Sequence, residues 1–395
     1  MKPLGNQAVI VGGGIGGLCA AIALRIVGWE TVICEQRTEL AETGAGIALA
    51  ANAMKALERL GVSERVREAG ARVGTGEIRT WQGKLLAELP VAKQEARYGT
   101  PSCLIHRRRL QSILYERLAE LGGTISWNKK LTAFEQRGDE VKVYFTDGDQ
   151  ITSTMLIGAD GIHSAVREQL HGNSPLIYSG YSALRGIGRY DDSRYPISAG
   201  GGFEALGPGS RFGFSHLGKG EIFWFAALNM PEGHRIAAEE RHRIAEQTFR
   251  EWYPPVPAVI AATPAADILF HPIHDRRPLP QWSVGSVTLL GDAAHPMLPN
   301  LGQGGAQAME DALVLASLLR GHPTGSALAS ALQAYDKERI PRTTAIVRQS
   351  RLMGHMMQLE SPWAIAFRNA GLRAAAEKLF VQRLHGVVGY VPPEL

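Results

Sequence analysis

Cysteine is scarce: Cys19, Cys34 and Cys103 are the only three in 395 residues. Odd in number and without metal-ligand spacing, they argue against a disulfide framework and fit a protein kept reduced in the cytoplasm. No cluster of His, Cys and carboxylates has the spacing of a metal site, so no metal is expected. Charge of one sign is also lacking. The 42 basic and 38 acidic residues leave a formal net charge of +4, too small and too scattered for nucleic-acid binding. The one tight basic cluster, Arg107-Arg108-Arg109, would point in three directions from a helix and form no stripe. The longest apolar run, Ala8 to Val27, holds five glycines and Arg25 and opens like a strand, which argues against a signal peptide or an integral membrane segment. There is no internal repeat and no low-complexity segment.

Glycine, by contrast, is abundant, and in several places it is ordered. Ala8 to Val11 is a short apolar, β-branched run that suits a buried parallel strand. Gly12-Gly13-Gly14-Ile15-Gly16-Gly17 follows at once, Leu18 to Val27 reads as a helix stopped by Gly28, and Thr31 to Cys34 reads as a second buried strand ending at Glu35. In such a β-α-β unit Gly12 permits the tight turn, Gly14 lets the backbone approach a pyrophosphate, and Gly17 lets helix pack close to strand. The helix N-terminus offers free N–H groups and a positive dipole end to phosphate. Glu35 lies 18 residues beyond Gly17, where a carboxylate can accept hydrogen bonds from a ribose diol.

Two later motifs repeat the pattern of buried strand and polar loop. Met155-Leu156-Ile157 runs into Gly158-Ala159-Asp160-Gly161. Leu289-Leu290 runs into Gly291-Asp292-Ala293-Ala294-His295-Pro296, and then through Pro299 and Gly302-Gln303-Gly304-Gly305 into a helix with Glu310 and Asp311. Helical patterns also cover Asn52 to Leu60 and Arg107 to Leu121, and three strand-like runs lie between Ile125 and Ile157. From about Tyr178 the character changes to short aromatic strands, Phe212 to Leu217 and Ile222 to Leu228, around a Gly-Lys-Gly turn. The expected fold is α/β, a Rossmann-type cofactor fold split in sequence. Residues 1–177 and 276–330 form it, 178–275 insert an antiparallel substrate sheet, and 331–395 form C-terminal helices broken near Pro341.

These signatures, in this order, resemble the group A flavoprotein monooxygenases, the para-hydroxybenzoate hydroxylase-like family, from about residue 7 to about residue 350. The resemblance implies a glutathione reductase-like FAD fold. FAD would be held by Gly12, Gly14, Ile15, Gly16, Gly17, Glu35, Gln36 and Arg37, by the loop Gly44-Ala45-Gly46-Ile47, and by Arg107 and Gln111. Asp160-Gly161, Asp292, Pro299, Gly302, Gly304 and Gly305 complete that set. It further implies that NAD(P)H reduces the flavin, that oxygen adds at the flavin C4a carbon as a hydroperoxide, and that one oxygen atom passes to a small organic substrate. No second Gly-x-Gly-x-x-Gly unit exists, so the nicotinamide cofactor would dock transiently, and a Trp-x-Trp-x-Ile halogenase motif is absent. The partners implied are O2 and a small molecule, with the chain a monomer or homodimer.

Candidate pocket residues come from the inserted sheet and the following loop: Arg211, Phe212, Phe214, His216, Phe223, Trp224, Met297 and Pro299. Alternation along the strand sets Phe212, Phe214 and His216 on one face and Arg211 on the other. Arg185, in Leu184-Arg185-Gly186, stands where many relatives have an arginine, and His295 is expected to brace its loop. Met297 to Gly305 is similar to the quinolone hydroxylase, zeaxanthin epoxidase and urate hydroxylase branches. Urate hydroxylases pair a sheet arginine with a tyrosine on the next strand. Arg211 matches the first and Phe223 replaces the second, a departure from the urate pattern. No side chain is singled out as catalytic, and the pocket is expected to be largely apolar. Hydroxylation of an aromatic or heteroaromatic ring is the main expectation. Epoxidation of an unsaturated substrate, a flavin reductase or oxidase, and a non-catalytic flavin-binding regulator stay open.

Overall fold

A computed structural model describes residues 6–40, 45–374 and 385–395. A five-stranded parallel sheet lies at one end, in the order Val287–Leu289, Met155–Gly158, Gln7–Val11, Glu30–Cys34 and Thr124–Ser126. Its central strands are buried along almost their whole length, which is why they read as continuous apolar runs with no alternation. The helix Ile15–Ile26 packs on helices Arg107–Glu120 and Gly304–Leu318. Five strands, not three, occupy residues 124–158, because an antiparallel trio, Leu131–Arg137, Glu140–Phe145 and Gln150–Ser153, stands between two strands of the parallel sheet.

The second sheet has seven strands, in the order Leu269–Asp275, Ile177–Gly188, Glu221–Asn229, Ser210–Gly218, Gly202–Gly207, Thr75–Thr80 and Leu85–Pro90. Its last two strands come from the stretch read as part of the first cofactor segment, and Thr75–Thr80 joins Gly202–Gly207 in parallel, so the sheet is mixed. The Gly218-Lys219-Gly220 turn has positive φ at all three residues, as a tight hairpin requires. Behind this sheet Phe212, Phe214 and Trp224 form a core with Phe249, Val256 and Val259 of two short helices.

Pro341 does not break its helix, which runs without interruption from Gly325 to Met357. Tertiary contacts outweigh the local cost of about 3 kcal/mol. Arg339 is locked to Glu310 and Asp311, and Arg342 to Glu310, on the two sides of the proline.

Candidate active site

The two sheets face one another across a cavity of about 1130 Å³. Its lower end is the glycine turn. Gly12 has φ +108°, and a Cβ there would lie 2.4 Å from the Ala159 carbonyl oxygen. Gly17 does not line the cavity: a Cβ would lie 2.0 Å from the Gly12 oxygen, so its role is the close helix–strand contact. Gly14 has nothing within 4 Å of a Cβ position and opens onto the cavity. Glu35 accepts hydrogen bonds from the Gly13 amide at 2.7 Å and the Arg37 amide at 3.0 Å, and Gln111 donates to the Gly13 carbonyl at 2.9 Å. Carboxylate and amide thus hold the turn from two sides. Gln36 and Arg37 lie beside it on the cavity wall.

Asp160 caps the helix Ala165–His171 by accepting from the Ala165 amide at 2.8 Å. Its other oxygen is buried without a partner, and burial pushes its carboxyl above the usual range. Asp292 has no hydrogen-bond partner among the described residues and looks into the cavity. The loop carrying it is anchored from behind, because Asp311 accepts from the Gly291 amide at 3.1 Å and meets His295 Nε2 at 2.6 Å. His295 is therefore a brace. Gly302 has φ +61°, and Gly304 and Gly305 begin the helix whose N-terminus points at the cavity. Ile15, Gly16, Gly46, Ile47, Gly161 and Pro299 complete this part of the lining. Gly44 lies outside the described residues.

These residues fit FAD. The turn leaves room where a pyrophosphate must approach, the Asp292 carboxylate keeps both oxygens free for hydroxyl groups, and a helix N-terminus favours negative charge. Cys34 also borders the cavity, but burial pushes its thiol up to about 12, so it is no nucleophile. Among the described residues no group of three His, Cys, Asp or Glu side chains could hold a metal.

The upper wall is the seven-stranded sheet, and here the register corrects the sequence reading. Arg185 pairs with Phe225, Phe225 with Gly213, and Gly213 with Glu204, so these four share one face. Arg211, Phe223 and Tyr181 are on that face and line the cavity. Phe212, Phe214, His216 and Trp224 belong to the opposite phase. Phe214 borders the cavity, yet its ring stacks at 5.5 Å on Phe203 in the core behind. Trp224 donates to Thr263 at 2.8 Å, and buried His216 meets the Tyr195 carbonyl at 2.8 Å, away from the cavity lining. The cavity phase carries the small residues, Gly213 and Ser215, because aromatic rings cross over them. A Cβ on Gly213 would lie 2.1 Å from the Phe225 ring. Phe225 and Tyr181 were the residues missed, and small residues alternating with bulky ones were the signal available.

Arg211 is not a free cation. It pairs with Glu204 at 3.0 Å, donates to Asn300, and lies over the Tyr181 and Phe225 rings. Tyr181 donates to the same Asn300 oxygen at 3.0 Å. Met297 and Pro299 face this cluster from the loop side. Of the arginine triplet, Arg107 and Arg108 are exposed and border the cavity. Arg109 is half-buried: it pairs with Glu221 at 2.7 Å and ties the helix to the hairpin.

A family described as FAD binding domain matches residues 6–177 and 261–350. The aurachin C monooxygenase/isomerase of Stigmatella aurantiaca is 38% identical over 370 residues, 93% of this chain and 94% of that protein. The 3-amino-4-hydroxybenzoate 2-monooxygenase PtmB3 of Streptomyces platensis is 36% identical over 364 residues, 89% of each. Among solved structures, Klebsiella pneumoniae HpxO complexed with FAD and uric acid superposes with a TM-score of 0.90 at 27% identity, covering 98% of both chains.

Proposed function

The chain belongs to the FAD-binding-domain family of flavin-dependent aromatic monooxygenases, and on that premise we propose that it hydroxylates a small aromatic or heteroaromatic compound with NAD(P)H as reductant. The observation that carries this reading is the cavity between the sheets. It joins a dinucleotide-type phosphate turn, two free carboxylate oxygens and a helix N-terminus to a chamber walled by Phe223, Phe225, Tyr181, Met297 and Leu298.

When bound, FAD supplies the electron transfer and the activation of oxygen. The chain's own residues bind, orient and exclude water. Glu35 and Asp292 offer carboxylate oxygens to the sugar and ribityl hydroxyls, and the backbone of Gly12 to Gly16 receives the phosphates. The N-terminus of Gly304–Leu318, which opens onto the cavity, would favour negative charge on a bound flavin. The aromatic wall keeps the chamber dry and holds a flat substrate. Reducing nucleotide would reach the flavin from the cavity mouth, since the chain has one Gly-x-Gly-x-x-Gly unit.

The test is consumption of NADPH and NADH by the FAD-loaded protein against a panel of aromatic and heteroaromatic compounds, with oxygen uptake and peroxide measured together. One nucleotide and one oxygen consumed per hydroxylated product is the expected result. Turnover that proceeds without oxygen would refute the reading. Glu35→Ala and Asp292→Ala should each weaken FAD binding by about 1.5–3 kcal/mol, the worth of a charge-assisted hydrogen bond. Titration of each apoprotein with FAD reads this directly, and wild-type affinity in both variants would remove these residues from the cofactor site.

A further inference from the structure

Four exposed large apolar side chains lie together on two successive helices. Trp363 is 88% exposed and Phe367 84%, one turn apart on Pro362–Ala374, and Leu352 at 61% and Met356 at 40% stand near the end of Gly325–Met357. Helical spacing makes each pair a face. Trp363, Ala366, Phe367, Ala370 and Ala374 are all exposed, while Arg368 is buried and Leu372 half-buried. On the first helix Leu352 and Met356 form an outer row, and Met353 and Met357 an inner one. The helices are joined side by side. Arg368 donates to the Met357 carbonyl at 3.2 Å, and Met353 and Leu372 pack on one small core with Ile78 and Leu86 of the seven-stranded sheet. Exposed apolar residues scattered singly are ordinary, but an aromatic stripe beside an aliphatic row is a contact surface.

Charge decides what that surface fits. Residues 342–374 hold five arginines, Arg342, Arg348, Arg351, Arg368 and Arg373, against one acid, Glu360. Three of the arginines are engaged within the protein: Arg342 holds Glu310, Arg351 holds Asp275, and Arg368 holds the Met357 carbonyl. Glu360 is taken by Asn229 at 2.7 Å. Arg348 and Arg373 are exposed and have no ion-pair partner among the described residues. On the edge strand Leu85–Pro90, which packs against the second helix, exposed Glu88 is balanced by Lys84 just before the strand. A second copy docked through a two-fold axis would bring this patch against itself, arginines facing arginines with no acid to meet them. An anionic partner is complementary. Trp363 and Phe367 stand almost clear of the protein and lie in no groove, a shape that suits insertion into a soft interface better than fit to a rigid one. Aromatic rings on one helix face with arginines beside them are the pattern of a helix lying in the plane of a bilayer surface.

We propose that Pro362–Ala374 and the end of Gly325–Met357 dock this protein reversibly on an anionic lipid bilayer, with Trp363 and Phe367 entering the headgroup region and Arg348 and Arg373 meeting lipid phosphates. This is surface attachment, since no described helix is long and apolar enough to cross a membrane. It goes beyond the monooxygenase reading and does not depend on it. Leu89 of the edge strand packs on the core beneath the helix pair and also lines the cavity, so docking sets that wall of the cavity beside the lipid.

The experiment floats the FAD-loaded full chain with two kinds of vesicle, phosphatidylcholine alone and phosphatidylcholine with 30 mol% phosphatidylglycerol. The wild type should rise with the anionic vesicles, much less with the neutral ones, and less again as salt screens the arginines. Trp363→Ala/Phe367→Ala should partition about 10-fold or more weakly, and Arg348→Gln/Arg373→Gln should lose the preference for anionic lipid. Brominated lipid should quench wild-type tryptophan emission and leave that of Trp363→Phe largely unchanged, which places the indole in the bilayer.

Flavin content and melting temperature, measured on the same variants, should match the wild type, because these side chains are exposed and touch neither the cofactor turn nor the cavity. No flotation with anionic vesicles, or equal flotation of the aromatic double variant, overturns the proposal. A double variant that melts well below the wild type also overturns it, by making the two rings part of the scaffold. Light scattering without vesicles supplies the remaining arm: a dimer that Trp363→Ala/Phe367→Ala dissolves would give the face to a second copy. A monomer that ignores both vesicle types would leave it to an acidic protein, and either result refutes attachment to lipid.

Discussion

Gly17→Val should give colourless protein that melts well below the wild type, whereas Gly14→Val should give colourless protein that is otherwise well folded. Both glycines belong to one turn, and their surroundings set opposite outcomes. At Gly17 a Cβ would lie 2.0 Å from the Gly12 carbonyl oxygen and 3.4 Å from Ile10 Cγ2. The main obstacle is backbone of the turn at the end of the central strand and cannot swing aside. Even one added methyl overpacks this contact at a cost of about 1–3 kcal/mol, and valine adds two more carbons. The displaced helix would also carry the phosphate-facing amides with it. Gly14 precedes the helix at φ −72°, which any residue adopts, and a Cβ there meets no protein atom within 4 Å. A side chain at that position enters only the space where the cofactor's phosphates belong. The flavin-to-protein absorbance ratio and thermal melts of the apoproteins separate the two. A Gly14→Val protein that keeps its yellow colour, or a Gly17→Val apoprotein as stable as the wild type, would overturn the assignment of roles in the turn.

The cofactor half was legible because its chemistry is local. A strand, a glycine turn, a helix and a carboxylate at the end of the next strand follow within 30 residues, and each residue type has one mechanical reason to stand where it does. Asp160 and Asp292 were equally readable, since each follows a buried strand directly. The substrate half was not, for two physical reasons. First, the phase of a strand decides which side chains meet the cavity, and alternation alone does not say which phase faces in. The aromatic phase, Phe212 and Phe214, was the attractive choice, but those rings have a second apolar layer, Phe249 and its helix, to pack against. Second, contacts such as Arg211 with Glu204 and Asn300, or Arg109 with Glu221, span up to 112 residues and depend on sheet pairing. The same applies to residues 75–90, whose strands complete a sheet begun a hundred residues later. Pro341 shows the complementary case, in which a strong local signal yields to a buried charge network.

That network gives the other large expected effect: Arg339→Met should destabilise the protein by about 3–5 kcal/mol and introduce a loss of stability with rising pH near neutrality. Arg339, Glu310 and Asp311 are all fully buried. Glu310 keeps a second cation when Arg339 is lost, because Arg342 holds it at 2.7 and 2.8 Å. Asp311 keeps only His295 and the Gly291 amide. In the wild type, burial works to raise the Asp311 carboxyl, but His295 and Arg339 outweigh it and hold the group below its usual value. A depressed folded pKa means that the contribution is present above the unfolded value of about 3.9 and disappears only as pH falls through the folded value. Wild-type stability should therefore carry no loss from this group between pH 5 and 8. Without Arg339, desolvation dominates and the folded pKa rises above the unfolded one. The folded state then binds more protons, so stability falls as pH rises toward 8. Urea midpoints of both proteins at pH 5 and pH 8 measure the two slopes. Because Asp311 anchors the loop that presents Asp292, FAD affinity should weaken in parallel. Adding Asp311→Asn to the variant should return part of the stability at pH 8 by removing the stranded charge, without restoring the loop's full grip on FAD. An Arg339→Met protein within about 1 kcal/mol of the wild type at both pH values would mean that Arg342 and His295 suffice, and that the buried arginine does not hold the loop in place.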